Sequence, residues 1–160
     1  MQIPEPTPQH DWLRRMVGDW TMEGRCSMGP GKPEETTRGT ETVRAIGGLW
    51  VVGEGSGEMP GGGTATNIIT LGYDIAKGRF VGSFISSVMP MMWIYEGTLD
   101  AAGTVLTLDC DGPDFSDPTK TVKYQDIVEL TADGHRSLSS RVRTPDGGWM
   151  PIMRADYRRV

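Results

Sequence analysis

A chain of 160 residues with 22 glycines and 11 prolines carries turn formers or helix breakers at about a fifth of its positions, which excludes a helical bundle. Leu, Ile, Val and Phe together supply only about a fifth of the residues, but 10 Met, 5 Trp and 4 Tyr complete the large apolar set, so the core is built from less usual material. The formal net charge of −5 suits one folded domain, expected over residues 1–160, and argues against a nucleic-acid or anionic-membrane partner, which needs a concentrated basic face.

Residues 1–8 have no basic or apolar leader character and read as an extended tail. No run approaches the apolar length of a membrane span. Cys26 and Cys110 lack metal or redox spacing and read as reduced, structural thiols. A cytoplasmic protein without cofactor or metal is expected.

In chain order the first element is a short helix. Pro8-Gln9-His10-Asp11 leads into Trp12-Leu13-Arg14-Arg15-Met16-Val17, where Trp12, Leu13, Met16 and Val17 share a helical face and Gly18 supplies the stop. About two turns long, it must dock its apolar stripe on something to be stable. Strands then follow over 19–27, 38–46, 49–56, 65–74, 79–87, 91–99, 103–109, 121–130, 135–143 and 149–159. They are separated by Gly29-Pro30-Gly31, Gly47-Gly48, Pro60-Gly61-Gly62-Gly63, Lys77-Gly78, Pro90, Asp100-Ala101-Ala102-Gly103, Gly112-Pro113, Asp133-Gly134 and Asp146-Gly147-Gly148. Ten short strands without helical crossovers describe an all-β, antiparallel up-and-down meander, which escapes exposed edges by closing into a barrel.

In the last strand Trp149, Met153, Ala155 and Tyr157 alternate with Ile152, Arg154, Asp156 and Arg158, and the first set is expected inside. Strands 79–87 and 91–99 are instead apolar on both faces: Phe80 and Phe84 against Val81 and Ile85, then Met91, Trp93 and Tyr95 against Met92 and Ile94. A barrel wall has one inside, so the outer face of this hairpin must be covered by the short helix or by a second subunit. The extent of Val88-Met89-Pro90-Met91-Met92-Trp93 favours a homodimer.

Several segments together carry a family resemblance. Leu13 and Val17-Gly18-Asp19-Trp20, a short helix running into Gly-x-Trp, resemble the opening of calycin-type barrels, the superfamily of lipocalins and fatty-acid-binding proteins. Gly29-Pro30-Gly31-Lys32-Pro33, Ile46-Gly47-Gly48-Leu49-Trp50, Leu71-Gly72-Tyr73-Asp74, Tyr95-Glu96-Gly97-Thr98-Leu99-Asp100, Pro145-Asp146-Gly147-Gly148-Trp149 and Arg154-Ala155-Asp156-Tyr157-Arg158-Arg159 extend the match from about residue 10 to the end. In that order and spacing they resemble the bacterial domain-of-unknown-function 1579 family. The resemblance implies a calycin-like barrel of about ten strands and no established activity. Where it leads one to expect an aromatic strand ending in Trp-x-Asp, this chain has Phe84-Ile85-Ser86, so no ligand-contacting carboxylate is implied there. It also implies a basic residue of the last strand lying over the Gly-x-Trp ring. Arg159 shares the inward parity of Tyr157 and is expected over Trp20, a cation–π contact of about 1–2 kcal/mol when desolvated, with Gly18 allowing close passage beneath the barrel.

The stretch Asp109-Cys110-Asp111-Gly112-Pro113-Asp114-Phe115-Ser116-Asp117 has calcium-loop residue types but lacks a closing Glu and flanking helices, and reads as a wide turn. Pro60-Gly61-Gly62-Gly63-Thr64 lacks the Lys-Ser/Thr of a phosphate loop and reads as a mobile connection, a lid at most. His10 and His135 stand beside no nucleophile and are not placed to ligate a haem, and Cys26 reads as a small buried filler. No catalytic residue is assigned, and an enzyme ranks behind a binder or an interaction module.

The remaining candidate is the barrel lumen. Met22, Trp50, Phe84, Met91, Trp93, Tyr95, Met153 and Tyr157 are expected to line an apolar cavity in which Glu54, Asn67 and Glu96 orient a small apolar or amphipathic ligand. The alternative is a filled barrel whose outer apolar face at residues 79–95 serves dimerisation.

Overall fold

The computed structural model describes residues 1–27, 30–131 and 134–160; Gly29 and Asp133, which the sequence places in turns, lie outside them. One helix, α1 (Pro8–Arg14), precedes ten strands: β1 (Gly18–Cys26), β2 (Glu35–Ile46), β3 (Trp50–Glu58), β4 (Thr64–Asp74), β5 (Arg79–Ser86), β6 (Trp93–Leu99), β7 (Val105–Asp114), β8 (Asp117–Leu130), β9 (His135–Arg143) and β10 (Trp149–Arg159). Each strand pairs antiparallel with the next, and β1 closes the barrel against β10 with Trp20 opposite Arg159. Closure leaves no strand edge unpaired, the outcome expected of a long meander.

The helix starts earlier than its apolar stripe predicts. Thr7 is the N-cap and Pro8 takes a first-turn position where no N–H is needed. The Thr7 N–H donates to His10 Nδ1 at 2.9 Å, so His10 occupies the place of the acid in a capping box. The helix docks on the closed end of the barrel and not on the outer face of the 79–95 hairpin, correcting one of the two expected covers. Trp12, Leu13 and Met16 are buried there with Trp20, Phe80, Leu106 and Leu130. Trp12 Nε1 donates to the Gly103 carbonyl at 2.7 Å, and Trp20 Nε1 to that of Met16 at 2.8 Å.

Two further boundaries differ. Gly112-Pro113 does not separate strands: β7 runs through both, and the turn falls between Asp114 and Asp117. Gly112 lacks the Cβ that would overlap the Trp93 ring, while the Pro113 carbonyl accepts from the Tyr124 hydroxyl at 2.5 Å. The β6 strand begins at Trp93, leaving Met91 in the β5–β6 connection.

Candidate functional site

Strand alternation puts Trp20 and Met22 of β1, Phe84 of β5, Trp93 and Tyr95 of β6, Tyr124, Asp126 and Val128 of β8, Arg136, Leu138 and Ser140 of β9, and Met153 and Tyr157 of β10 on the inner face. The opposite wall is nearly bare, because Gly39, Gly53, Gly55 and Gly57 occupy inner positions of β2 and β3. The Met22 methyl lies within 3.1–3.2 Å of where a Cβ would stand on Gly39 and Gly57. A flexible thioether thus fills space that the glycines leave.

Two cavities in the lumen share Phe84 and Leu138. The inner one, about 50 Å³, is lined by Met22, Glu41, Asn67, Arg136 and Tyr157 among others. Arg136 is 4% exposed and ion-pairs with Glu41 across the barrel. Its guanidinium lies 4.7 Å from the Trp20 ring centroid and 4.0 Å from that of Tyr157. On its other side, at the closed end, Trp20 meets Arg159 at 4.3 Å. Arg159 also donates to the Val17 and Arg15 carbonyls, both at 2.7 Å, and occupies the space that a side chain on Gly18 would need.

The outer cavity is larger, about 270 Å³, and its wall is mainly apolar: Phe84, Met89, Trp93, Tyr124, Ile152 and Met153 contribute, with Cys110, Asp126 and Ser140 as its polar exceptions. Asp126 and Ser140 face each other in the β8–β9 register, and Ser140 Oγ donates to Asp126 Oδ1 at 2.6 Å. Tyr95 reaches across β7 to donate its hydroxyl to Asp126 Oδ2 at 2.5 Å. Burial pushes the Asp126 carboxyl above its usual range, against the opposing effect of these two donors. Burial and the neighbouring Asp126 push the Tyr95 hydroxyl far up, and burial pushes the Cys110 thiol to about 12, leaving it protonated and unreactive.

Of the residues expected to line the lumen, Met22, Asn67, Phe84, Trp93, Tyr95, Met153 and Tyr157 face inward. Met91 packs half-buried against the core from the β5–β6 connection. Three expectations are corrected. Trp50 is 42% exposed and lies across Gly72 on the outer surface. Glu54 is likewise exposed, because the inward positions of β3 are Val51, Gly53, Gly55 and Gly57. Glu96 neighbours the inward Tyr95, so it points out and pairs with Lys77 at 3.2 Å.

His10 is buried in the helix cap and packs edge-on against Tyr73, while His135 lies 3.3 Å from Asp156; neither lines the two cavities. The Gly61-Gly62-Gly63 segment is a tight turn and not a lid, closed by Met59 N–H to Gly63 O at 2.9 Å and tied to β2 by Gly61 N–H to Glu35 at 2.7 Å. In the acidic stretch, Asp114 and Asp117 bond Ser116 and Thr119 of their own turn. Among the described residues no group of three or more His, Cys, Asp or Glu is arranged to hold a metal ion. No helix among them is long and apolar enough to cross a membrane.

Sequence reasoning missed Asp126, Arg136, Glu41 and Ser140. The signal was a charge standing in an apolar row: Tyr124, Asp126, Val128 and Leu130 on β8, and Arg136, Leu138 and Val142 on β9.

No curated protein matches the chain. Among solved structures, the S-type phycobiliprotein lyase CPES of Guillardia theta is similar with a TM-score of 0.65 at 14% identity, covering 96% of this chain and 93% of its own. Rv2717c of M. tuberculosis is similar with a TM-score of 0.68 at 14% identity, covering 98% and 99%. EF1p2_mFAP2b bound to DFHBI is similar with a TM-score of 0.51 at 8% identity, covering 94% and 98%. At these identities the likeness is one of fold: a calycin-like barrel. The family model described as "Protein of unknown function (DUF1579)" matches residues 5–159, and the chain belongs to that family.

Proposed function

We propose that this protein binds a small apolar or amphipathic molecule in the outer cavity of its barrel. The observation that carries the reading is a cavity of about 270 Å³, walled by Phe84, Met89, Trp93, Leu138 and Met153, with a hydrogen-bonded carboxyl at its deep end. Cavities that are mostly apolar with few convergent polar groups are the usual form of small-molecule sites. Two structurally similar barrels support it: one is named a phycobiliprotein lyase and another is bound to DFHBI. The chain acts as one domain, since the N-terminal helix plugs the barrel it precedes. Two free thiols, Cys26 and Cys110, fit a reducing cytoplasmic setting.

The test is titration with the neutral dye N-phenyl-1-naphthylamine, read by fluorescence. Wild type should bind it saturably, and Leu138→Trp, which fills the wall shared by both cavities, should weaken binding at least about tenfold with the far-UV spectrum unchanged. Dye fluorescence that never saturates would overturn the reading.

A second reading concerns the outside of the same wall. Ile85, Val88, Met92 and Ile94 are 40%, 50%, 56% and 60% exposed, and Ile68 stands opposite Ile85 in the β4–β5 register. With α1 docked elsewhere, this face is open to a second copy of the chain, and we assign it to a homodimer contact.

A further inference from the structure

The lumen has one negative group too many. The charged side chains lining the two cavities are Glu41, Arg136 and Asp126. Glu41 and Arg136 satisfy each other in the inner cavity, with the guanidinium also held between Trp20 and Tyr157. Asp126 is left with two neutral donors, the Tyr95 hydroxyl and Ser140 Oγ, one on each carboxyl oxygen. No cationic side chain pairs with it among the described residues. A carboxylate in this mainly apolar space without a counter-charge is costly, and desolvation raises its pKa.

The placement of this acid is specific. Asp126 is the deepest β8 residue of the outer cavity, since the next inward position, Val128, belongs to the inner one. Its ring of neighbours is otherwise apolar, so a ligand that fills the cavity brings its leading end to the carboxyl. The other titratable groups facing this space are Tyr95 from β6, Cys110 from β7 and Tyr124 from β8. All three are shifted toward their neutral forms, which leaves Asp126, the group of lowest ordinary pKa among them, as the one that ionises first.

We propose that Asp126 is the specificity-determining group of the lumen, a counter-ion that selects amphiphiles bearing a cationic nitrogen head over alcohols or carboxylates with the same apolar body. The proposal rests on the lumen reading above and adds the ligand class. An ammonium group with two or three N–H donors completes the charge balance and can use lone pairs that Tyr95 and Ser140 leave free. A carboxylate ligand meets a like charge in a low-dielectric site, and an alcohol offers one neutral hydrogen bond. An ammonium ion favours the ionised form of Asp126. Affinity for the amine therefore rises by up to about tenfold per pH unit below the carboxyl's raised pKa and levels off above it. Affinity for the alcohol does not follow this course.

The experiment is displacement of N-phenyl-1-naphthylamine from the full chain by octylamine, 1-octanol and octanoate, between pH 5 and 8. Expected is octylammonium displacing the dye at a concentration at least about tenfold lower than octanol, octanoate being weakest, and an amine advantage that grows with pH up to the carboxyl's raised pKa. In Asp126→Asn, which keeps a hydrogen-bonding partner for Tyr95 and Ser140, the amine advantage over octanol, each read against the variant's own dye affinity, should shrink below about twofold. Dye binding with all three probes equal, with octanoate preferred, or with the amine preference intact in Asp126→Asn would overturn the counter-ion role and leave the lumen reading standing. Failure of the dye to bind at all would remove both. Should Asp126→Asn not fold, the ranking and pH course in wild type decide by themselves.

Discussion

Arg136 is the side chain on which the inner lumen turns. It is buried between Trp20 and Tyr157 and ion-paired with Glu41, and its Nε has no hydrogen-bond partner among the described residues. Removing one partner of such a pair leaves an uncompensated charge, so Arg136→Ala should lower stability by about 3–5 kcal/mol. Arg136→Met combined with Glu41→Leu should recover most of that loss, with urea denaturation as the measurement. Asp126 has the opposite electrostatic character. Its carboxyl titrates higher folded than unfolded, so the folded state binds the proton more tightly. Its contribution is fully present below the unfolded pKa and is lost as pH rises through the folded one. Thermal melts from pH 4 upward should show wild type losing stability relative to Asp126→Asn. Identical pH profiles for the two would show that Asp126 does not titrate differently on folding. Alternation places Met153, Ala155, Tyr157 and Arg159 of β10 on one face, but the irregularity between Pro151 and Met153 breaks it. Trp149, expected inside with them, therefore lies against Arg141 and Arg143, and Ile152, expected outside, lines the outer cavity. Adjacent residues face opposite ways, however, so Tyr95 and Glu96 never had a common side.

At the scale of elements, α1 matters through docking. A seven-residue helix has little stability of its own; it persists because Trp12, Leu13 and Met16 are buried in the barrel's closed end and Trp12 Nε1 bonds Gly103. Trp12→Ala should therefore cost about 3–5 kcal/mol by chemical denaturation, far more than loss of an exposed helical turn. The apolar stripe of α1 was readable from residue spacing, but the surface it meets was not. Its target is assembled from β3, β4, Phe80 of β5 and the turn at Gly103, which come together only when the sheet curls into a barrel. The β7–β8 hairpin shows the same limit. Gly112-Pro113 has the local character of a turn, yet the Trp93 ring arriving from β6 requires a residue without Cβ at that place, and the strand continues through it.

For the whole molecule, the barrel separates two apolar surfaces that the 79–95 hairpin presents in sequence as a single apolar run. Phe84, Trp93 and Tyr95 face the lumen, while Ile85, Met92 and Ile94 face out. If the outer face is a homodimer contact, native mass spectrometry of wild type should give the dimer mass. Met92→Glu with Ile94→Glu should give monomer, with dye binding in the lumen retained, because burying two carboxylates at an apolar contact is prohibitive. A monomeric wild type would sink the dimer assignment and leave the ligand site untouched.

Composition, turn spacing and period-two alternation by themselves determined an all-β meander of ten strands, because each is a local property of the chain. The same alternation marked Met153 and Tyr157 as residues of a one-sided strand. Only tertiary structure decided that the helix plugs an end and that the wall opposite Met22 is made of glycine. It alone brought Tyr95, Asp126 and Ser140 together from three strands, because hydrogen bonding and desolvation depend on neighbours that sequence distance does not report. The excess of glycine and proline is therefore two features in one count. Some are corners of the meander, as at Gly61, Gly78 and Gly103, where φ is 83°, 65° and 70°; others, as at Gly39, Gly57 and Gly112, are inner-wall positions where another side chain takes the room a Cβ would need.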